Sequence, residues 1–182
     1  MLLTHKNSIL LIIDVQTALF PVIKSRELCL RNIVRLLAVR EKLNIPVLVT
    51  EQYPQGLGRT INPILNAVRP IEVLSKTHFS CARESAILAT LQSTGRRQIV
   101  ISGMEAHVCV LQSALELMAH GFKVYVVEDA VNSRKNSDYK SALARLCRNN
   151  VELVTTEMVI FEWLEKACTE EFRNILPLIK NQ

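Results

Sequence analysis

Apolar residues along this chain fall into short unbroken runs, and most of the runs are followed by stretches with apolar residues at helical spacing. An unbroken apolar run is typical of a strand that is buried on both faces of a parallel sheet. The runs cover residues 8–15, 46–50, 73–75, 99–101, 123–127 and 151–154. Helices are predicted over residues 25–44, 61–67, 83–92, 108–118, 139–146, 161–166 and 171–179. The alternation predicts one α/β domain over residues 1–182, Rossmann-like, with helices on both faces of a mainly parallel sheet.

Two local signals refine this outline. Ser25 precedes the first long helix and is expected to cap it with its hydroxyl. Proline and glycine are too frequent in residues 51–70 for a long regular element, so we expect a surface excursion there with at most a short helix.

Composition places the chain among globular proteins. Hydrophobic residues make up 49% and charged residues 21%, which argues against a disordered chain. The apolar runs are far shorter than the roughly 20 residues of a membrane helix, so we expect no membrane partner. Lys and Arg outnumber Asp and Glu by 22 to 17, but the positive charges are scattered, which argues against a dedicated nucleic-acid-binding face.

Cysteine usage and the first residues indicate the compartment. The chain has five cysteines, an odd number without a C-x-x-C pair, which favours reduced thiols over disulfides. Residues 1–7 lead into an apolar segment that is too short for a secretory signal, and Asp14 interrupts it. We therefore expect an intracellular protein, cytoplasmic by default.

Three polar residues lie at or just beyond the ends of predicted strands: Asp14, Lys76 and Cys109. Because the carboxyl ends of parallel strands meet at one edge of a sheet, we expect these distant residues to converge. Cys109 also follows Gly103 at the start of a predicted helix, whose amino terminus favours a thiolate. A carboxylate could accept the thiol proton, and a nearby ammonium would favour both anions. The pattern predicts a cysteine nucleophile with its base.

Each of these three residues also has a purely structural explanation. Asp14 can cap the turn after its strand, Lys76 can be a solvated loop lysine, and Cys109 can be a small core residue. The residues taken singly leave these alternatives open.

The chain carries no motif for a bound cofactor. No G-x-G-x-x-G follows the first predicted strand, and G-x-x-x-x-G-K-[ST] does not occur. The four histidines have no ligand-like spacing among themselves, so we expect no metal and no other cofactor.

Three motifs occur in order around the candidate residues: IIDVQ at 12–16, SKTHFS at 75–80 and GMEAHVCV at 103–110. They resemble the aspartate, lysine and cysteine motifs of the isochorismatase-like hydrolases, also called the cysteine hydrolase superfamily. EDAVNSR at 128–134 and TTEMVIFEW at 155–163 resemble later segments of that family. TEQYPQGLG at 50–58 is similar to its branch of uncharacterised isochorismatase-domain hydrolases.

The resemblance implies a sheet of six parallel strands and a role for each candidate. Asp14 would accept a proton, Lys76 would be its electrostatic partner, and Cys109 would be the nucleophile. It also implies a cis bond between Met104 and Glu105, which turns the amides of Glu105 and Cys109 toward an oxyanion. The implied reaction is attack on a small amide, ureide or related carbonyl, followed by hydrolysis of a thioester. The family further implies a homo-oligomer.

The chain departs from other branches of the family in two respects. Nicotinamidases carry an aspartate and two histidines that bind a metal, whereas residues 51–70 here contain no histidine. Isochorismatase chemistry itself cleaves a vinyl ether and can dispense with the cysteine. The presence of Cys109 therefore favours metal-independent acyl transfer.

Several residues are candidates for contact with a small-molecule substrate: Gln16, Phe20, Gln52, Phe79 and His107, with Trp163 as a further aromatic wall. The glutamines could hold an amide, and turn hydrogen bonding is the alternative. Core packing is the alternative for the aromatic residues. The histidine could face the pocket or the helix surface.

Two other functions stay open beside the metal-independent cysteine hydrolase. One is a binding or assembly protein with little turnover, which contacts RNA through its basic surface. The other is a thiol sensor in which Cys109 is oxidised reversibly rather than acylated.

Overall fold

A computed structural model describes residues 1–67 and 72–180, and its strands form one parallel sheet. The strands are β1 Ser8–Ile13, β2 Val47–Gln52, β3 Glu72–Lys76, β4 Gln98–Met104, β5 Lys123–Asn132 and β6 Glu152–Val154. Their order in the sheet is β3-β2-β1-β4-β5-β6, so β1 and β4 are central. This topology confirms the predicted Rossmann-like α/β fold with six strands.

Helices join the strands and cover both faces of the sheet. The helices are α1 Arg26–Lys42, α2 Pro54–Leu57, α3 Asn62–Ala67, α4 Ser85–Ser93, α5 Leu111–Ala119, α6 Asn136–Arg148, α7 Thr156–Leu164 and α8 Glu170–Lys180. Within the described residues, two 3₁₀ turns, Phe20–Val22 and Cys81–Arg83, and one π-helical turn, Ala106–Val110, complete the elements. None of the helices in the described ranges has both the length and the apolar character needed to cross a bilayer.

A hydrophobic core lies on each face of the sheet, because alternate residues of β1 point in opposite directions. Leu10 and Ile12 belong to the core shared with α1, α7 and α8, which we call the α1 face. Ile9, Leu11 and Ile13 belong to the core shared with α4, α5 and α6, which we call the α5 face. All six residues of β1 are buried, as the unbroken apolar run predicts.

The most consequential departure from the sequence prediction lies after β4. Cys109 is not in the first turn of an α-helix but in the π-helical turn Ala106–Val110, and α5 begins only at Leu111. Single π-helical turns are frequent at functional sites. Cys109 therefore does not have the position in the first turn of an α-helix from which a helix amino terminus was expected to favour its thiolate.

Two helix starts also differ from expectation. Ser25 has a left-handed backbone with φ of 47° and makes no side-chain hydrogen bond to α1, so the predicted cap is wrong. The helix predicted over residues 161–166 is α7, which begins earlier because the Thr155 hydroxyl accepts a hydrogen bond from the amide of Met158.

The predicted surface excursion after β2 contains two short helices, α2 and α3. One antiparallel bridge, between Gln16 and Thr60, ties it to the loop after β1. Residues 68–70 of the excursion lie outside the described residues.

Gly103 brings the two central strands together next to the candidate residues. Its φ of 134° is one that residues with side chains rarely adopt, and a Cβ there would collide with the carbonyl oxygen of Ile13, its partner in the sheet. Glycine therefore allows β4 to approach β1 just before Asp14 and Glu105.

Candidate active site

Asp14 directly follows β1 at the carboxyl edge of the sheet. Its φ of 55° turns the backbone out of the strand, and the residue is 1% exposed. Its Oδ1 accepts a hydrogen bond from Oγ1 of Thr50 at 2.7 Å, and its Oδ2 accepts one from Nζ of Lys76 at 2.7 Å. Both carboxylate oxygens are thus held, by residues of β2 and β3, in charge-assisted hydrogen bonds.

Lys76 is the last residue of β3, and its side chain is fully buried. Its ammonium also donates to Oε1 of Gln52 at 2.6 Å. Burial alone would lower its pKa, but the Asp14 carboxylate and the sulfurs of Cys109 and Cys81 together raise it. The lysine therefore stays charged and compensates the buried carboxylate.

Cys109 reaches this ion pair from the turn after β4. Its Sγ lies 3.9 Å from Oε1 of Gln52, and the residue is buried. Burial and the Asp14 carboxylate raise the pKa of the thiol far above its ordinary value, and Lys76 offsets this only in part. The expectation of a resting thiolate is therefore wrong, because desolvation and a neighbouring carboxylate outweigh the ammonium.

The structure brings together the three residues that the sequence predicted to converge, and it adds Gln52 between them. One oxygen of Gln52 accepts from Lys76 and lies near Cys109, so it couples the thiol to the ion pair. A protonated thiol beside a carboxylate can lose its proton as it attacks, rather than before. The arrangement can thus supply a nucleophile and a proton acceptor in one buried cluster.

A loop after β3 closes the cluster around Lys76, whose Nζ donates to the carbonyl oxygen of Phe79 at 3.2 Å. Oε1 of Glu84 accepts hydrogen bonds from the backbone amides of His78 at 3.0 Å and Thr77 at 2.8 Å. These bonds lower the pKa of Glu84 to about 2. Glu84 therefore holds the loop that supplies a carbonyl ligand to the lysine.

Glu105 lies between β4 and the π-helical turn and has a left-handed backbone, with φ of 58° and ψ of 64°. Its side chain is 7% exposed, and its Oε1 accepts a hydrogen bond from Nε of Arg134 at 2.8 Å. Nδ1 of His107 lies 3.0 Å from Oγ of Ser133 and 3.2 Å from Oε2 of Glu105. The cis bond and the oxyanion contacts expected at this turn stay predictions.

The two glutamine candidates have different surroundings. Gln16 is fully buried; its Nε2 donates to the carbonyls of Gln52 and Gly58, and its Oε1 accepts from the amide of Gln52. The Gln16 side chain therefore makes turn hydrogen bonds to the backbone, which was the alternative to a role in holding an amide. Gln52 instead directs its side-chain oxygen toward Lys76 and Cys109.

Two of the aromatic candidates lie on the α1 face of the sheet, and the third lies on the loop after β3. Phe20 packs against the core of the α1 face, and Trp163 is buried in that core with its indole donating to Oγ of Ser8 at 2.9 Å. These two therefore lie with the core opposite to that of Cys109. Phe79 is 53% exposed on the loop beside the lysine.

Sequence reasoning missed Thr50 and Cys81. Cys81 is fully buried, with its Sγ 4.0 Å from Oγ1 of Thr50, and burial and Asp14 raise its pKa to about 11. Thr50 lies two residues before Gln52 on β2, so strand alternation would have placed both on one face. Sequence spacing did not predict a site position for Cys81 or Glu84, because both lie in the loop after β3, where no strand or helix periodicity applies.

A cavity of about 170 Å³ lies next to the cluster, lined by Tyr53, Ser75, Lys76, Thr77 and Glu84 among others. Asp14 and Cys109 are not among its lining residues. Over residues 1–67 and 72–180, no three His, Cys, Asp or Glu side chains are grouped so as to hold a metal.

Two solved structures share this fold closely. The MAR1 ribonuclease from Caenorhabditis elegans superimposes with a TM-score of 0.92 at 31% identity, covering 98% of this chain and 92% of that one. The YcaC gene product of Escherichia coli, described as an octameric hydrolase of unknown specificity, superimposes with a TM-score of 0.88 at 21% identity. That match covers 98% of this chain and 87% of the other and concerns the fold.

Sequence relatives span nearly the whole chain. Isochorismatase domain-containing protein 2 of Danio rerio is 38% identical over 178 residues, which cover 97% of this chain and 89% of that protein. Isochorismatase domain-containing protein 2A of Mus musculus is 36% identical, covering 96% and 84% respectively. The isochorismatase domain family matches residues 8–158. The chain therefore belongs to the isochorismatase domain family, whose hydrolase fold it shares.

Proposed function

We propose that this protein is a metal-independent cysteine hydrolase that acts on a small amide, ureide or related carbonyl compound through a thioester at Cys109. The observation that carries the proposal is the buried contact chain from the sulfur through Gln52 and Lys76 to Asp14. A structural role alone would not require a buried carboxylate, a buried ammonium and a thiol at one sheet edge, since burying such charges is costly.

The first step forms the acyl-enzyme. The sulfur attacks the carbonyl carbon, a carbon–sulfur bond forms, and the thiol proton passes to the Asp14 carboxylate. The resulting oxyanion collapses and the bond to the leaving nitrogen breaks, while Asp14 returns its proton to that nitrogen. The raised pKa of Cys109 fits this order, because the proton leaves only when an acceptor is in place.

The second step restores the enzyme. Water attacks the thioester carbon and gives one proton to Asp14, and the carbon–sulfur bond breaks to release a carboxylic acid. The departing sulfur takes the proton back from Asp14. Lys76 keeps its charge throughout and stabilises the carboxylate whenever it is ionised.

Burial of the cluster supports a small substrate. Asp14 is 1% and Cys109 is 5% exposed, so a bulky or polymeric substrate has no direct approach to the sulfur. Phe79, on the loop beside the lysine, is exposed, and a neighbouring subunit over it would lie against the site. We propose a homo-oligomer on this ground and by analogy with the octameric Escherichia coli relative.

RNA cleavage is the second candidate, because the Caenorhabditis elegans relative is described as a ribonuclease and the chain has a net charge of +5. The burial of Asp14, Lys76 and Cys109 favours the hydrolase, since a phosphodiester within a strand would have to reach the same closed cluster.

The test follows adducts by intact-protein mass while small amides, ureides and carbamates are screened. The wild-type protein should gain an acyl mass on Cys109 and release a carboxylic acid. Cys109→Ala should gain none, and Asp14→Asn should acylate at least about tenfold more slowly, as expected for loss of a general base. Cys147→Ala, which removes an exposed cysteine of α6, is the matched control and should behave as wild type.

Three results would overturn the hydrolase. The first is that no compound, including an activated ester such as p-nitrophenyl acetate, acylates the wild-type protein. The second is RNA cleavage that Cys109→Ala leaves unchanged, which would favour a ribonuclease with another site. The third is reversible oxidation of Cys109 by dilute peroxide without any acylation, which would favour a thiol sensor.

A further inference from the structure

A second charged cluster lies at the start of the π-helical turn that carries Cys109. Glu105 is its centre, with Arg134 on one carboxylate oxygen at 2.8 Å and His107 near the other at 3.2 Å. Ser133 lies 3.0 Å from the same histidine nitrogen, and Asp138 lies 3.8 Å from the other ring nitrogen. The proposed reaction, as described above, uses none of these side chains.

The backbone at Glu105 is held in a conformation that such a residue rarely adopts. Its φ of 58° lies in the left-handed region, and residues outside glycine, asparagine and aspartate stay there only when the surroundings enforce it. Its carboxylate is 7% exposed, and burial of a charge requires partners. Arg134 supplies a partner for Oε1, whereas Oε2 is buried without a hydrogen bond from any described residue and has His107 as its nearest cation if that imidazole is protonated.

We propose that Arg134 and His107, through the carboxylate of Glu105, are positioning residues that fix the peptide at Glu105 for oxyanion binding. This inference rests on the proposed function. This role requires no contact of either residue with the substrate, although His107 is also a candidate for such a contact. They act by restraining the side chain whose Cα also carries the amide expected at the oxyanion.

The geometry shows why the restraint spans the whole turn. Arg134 follows β5, and the last residue of β4, Met104, pairs with Asn132 at the end of β5. The bond from Arg134 to Glu105 therefore fastens the segment after β4 to the segment after β5. His107 lies two residues before Cys109 in the same π-helical turn, and its Nδ1 lies 3.2 Å from Oε2 of Glu105, where a protonated imidazole would pair with the carboxylate.

An oxyanion hole is sensitive to this restraint because its donors must lie within about 2.7–3.1 Å of the developing charge. A rotation of the peptide plane between Met104 and Glu105, by opposed changes in ψ of Met104 and φ of Glu105, would turn the N–H of Glu105 away from that position with little displacement of the sulfur. Loss of one donor typically slows the chemical step by about a hundredfold to a thousandfold, so a loosened donor should slow it by about tenfold or more.

Two reactions of Cys109 separate positioning from general damage. Acylation by p-nitrophenyl acetate forms a carbon–sulfur bond through an oxyanion and releases p-nitrophenolate as Asp14 takes the thiol proton. Alkylation by iodoacetamide displaces iodide at a saturated carbon and forms no oxyanion. Arg134→Met should slow acylation by about tenfold or more and change alkylation by less than about twofold.

Matched variants sharpen the result. Arg134→Lys keeps the charge but not the planar donor and should recover part of the acylation rate. Glu105→Gln keeps the shape of the side chain and should lower the acylation rate as Arg134→Met does. Arg145→Met removes an exposed arginine of α6 and should leave both reactions at wild-type rates.

The outcomes also distinguish this inference from the proposed function. If the wild-type protein acylates and Arg134→Met and Glu105→Gln acylate equally fast, the positioning role is overturned and the hydrolase stands. If both variants lose acylation and alkylation in parallel, the cluster is structural and the role is likewise overturned. If the wild-type protein is alkylated but never acylated, the proposed function fails and the positioning role fails with it.

Discussion

The two sides of the candidate site are built differently. The buried half, formed by Asp14, Thr50, Gln52 and Lys76, is an ion pair with its hydrogen-bond partners. Its residues lie on β2, on β3 and directly after β1, and each is at most 7% exposed. The charged half, formed by Glu105, His107 and Arg134, lies in turns and keeps an arginine that is 59% exposed. Removing one partner from the buried half leaves the other charge buried without compensation, which costs much stability. Removing the exposed arginine from the charged half costs little, because water screens that salt bridge. We therefore expect stability to depend on the buried half and fine positioning on the charged half.

Lys76→Met gives the largest expected effect and tests the buried half. It leaves the Asp14 carboxylate buried without its cation, which should lower the free energy of unfolding by about 3–5 kcal/mol. Urea denaturation measures this loss. Lys140→Met, on the exposed surface of α6, is the control and should stay within about 0.5 kcal/mol.

A double-mutant cycle sharpens the same comparison. Adding Asp14→Asn to Lys76→Met removes the stranded charge, so the double variant should be more stable than Lys76→Met alone. If Lys76→Met costs less than about 1 kcal/mol, or if the two losses simply add, the ion pair is not the buried, coupled unit described here.

Alkaline pH gives the next largest effect, because buried thiols stay protonated in the folded chain, both in the site (Cys81) and in the core of the α1 face (Cys29). Burial raises the pKa of Cys29 to about 12 and, with Asp14, that of Cys81 to about 11, from ordinary values of 9.0. Above pH 9 the unfolded chain therefore loses these protons while the folded chain retains them. The free energy of unfolding should fall as pH rises, by up to about 1.4 kcal/mol per pH unit for each thiol.

Unfolding between pH 8 and 10.5, measured for wild type and Cys81→Ala, isolates one of these contributions. The variant should lose stability less steeply over this range, whatever its stability at pH 7. Cys147→Ala, at an exposed position, should keep the wild-type slope. Identical slopes for Cys81→Ala and wild type would mean that the thiol behind Thr50 is not in the closed environment of the buried half.

The buried half was largely predictable from sequence, and the reason is topological. Unbroken apolar runs fix parallel strands, and parallel strands carry their last residues to one edge, so Asp14, Lys76 and Cys109 could be placed together without any contact being known. Strand alternation would also have yielded Thr50, although it was overlooked. The family resemblance added roles to these positions.

The charged half was not predictable in the same way. Glu105 was expected for its amide, but its carboxylate pairs with Arg134, 29 residues later, and no periodicity links the two. The π-helical turn also escaped the pattern, because its apolar spacing matches an α-helix over so few residues. The pKa of Cys109 is raised because burial and the Asp14 carboxylate outweigh Lys76. The sequence predicted that these groups lie close together, but it did not predict which effect on the pKa would be larger.

Glu84→Gln is expected to lower the free energy of unfolding by less than Lys76→Met in the buried half and by more than Arg134→Met in the charged half. It keeps one acceptor oxygen for the amides of Thr77 and His78 but removes the charge, which should cost about 1 kcal/mol because the carboxylate is partly solvated. The low pKa of Glu84, about 2, means that its stabilisation is present above the ordinary glutamate pKa and is lost as pH falls toward 2.

Acid denaturation between pH 5 and 2 checks this assignment. Glu84→Gln should lose stability less steeply than wild type, and its acylation rate should fall moderately because the Phe79 carbonyl is no longer fixed on Lys76. Glu170→Gln, at an exposed position in α8, serves as the control. A variant with the wild-type acid profile would show that the loop is held by other contacts.

Arg134→Met should have the smallest effect on stability, and for that reason it separates the two halves best. A salt bridge with one partner well exposed contributes about 1 kcal/mol or less, and removal of its arginine leaves Glu105 near the nitrogen of His107. Urea denaturation should thus find Arg134→Met close to wild type and Lys76→Met far below it. If the two variants lose similar stability, the charged half carries as much of the fold as the buried half. A large loss of acylation without a loss of stability would instead show that Arg134 positions the turn at Glu105, because a contribution to the stability of the fold would have appeared in the urea measurement.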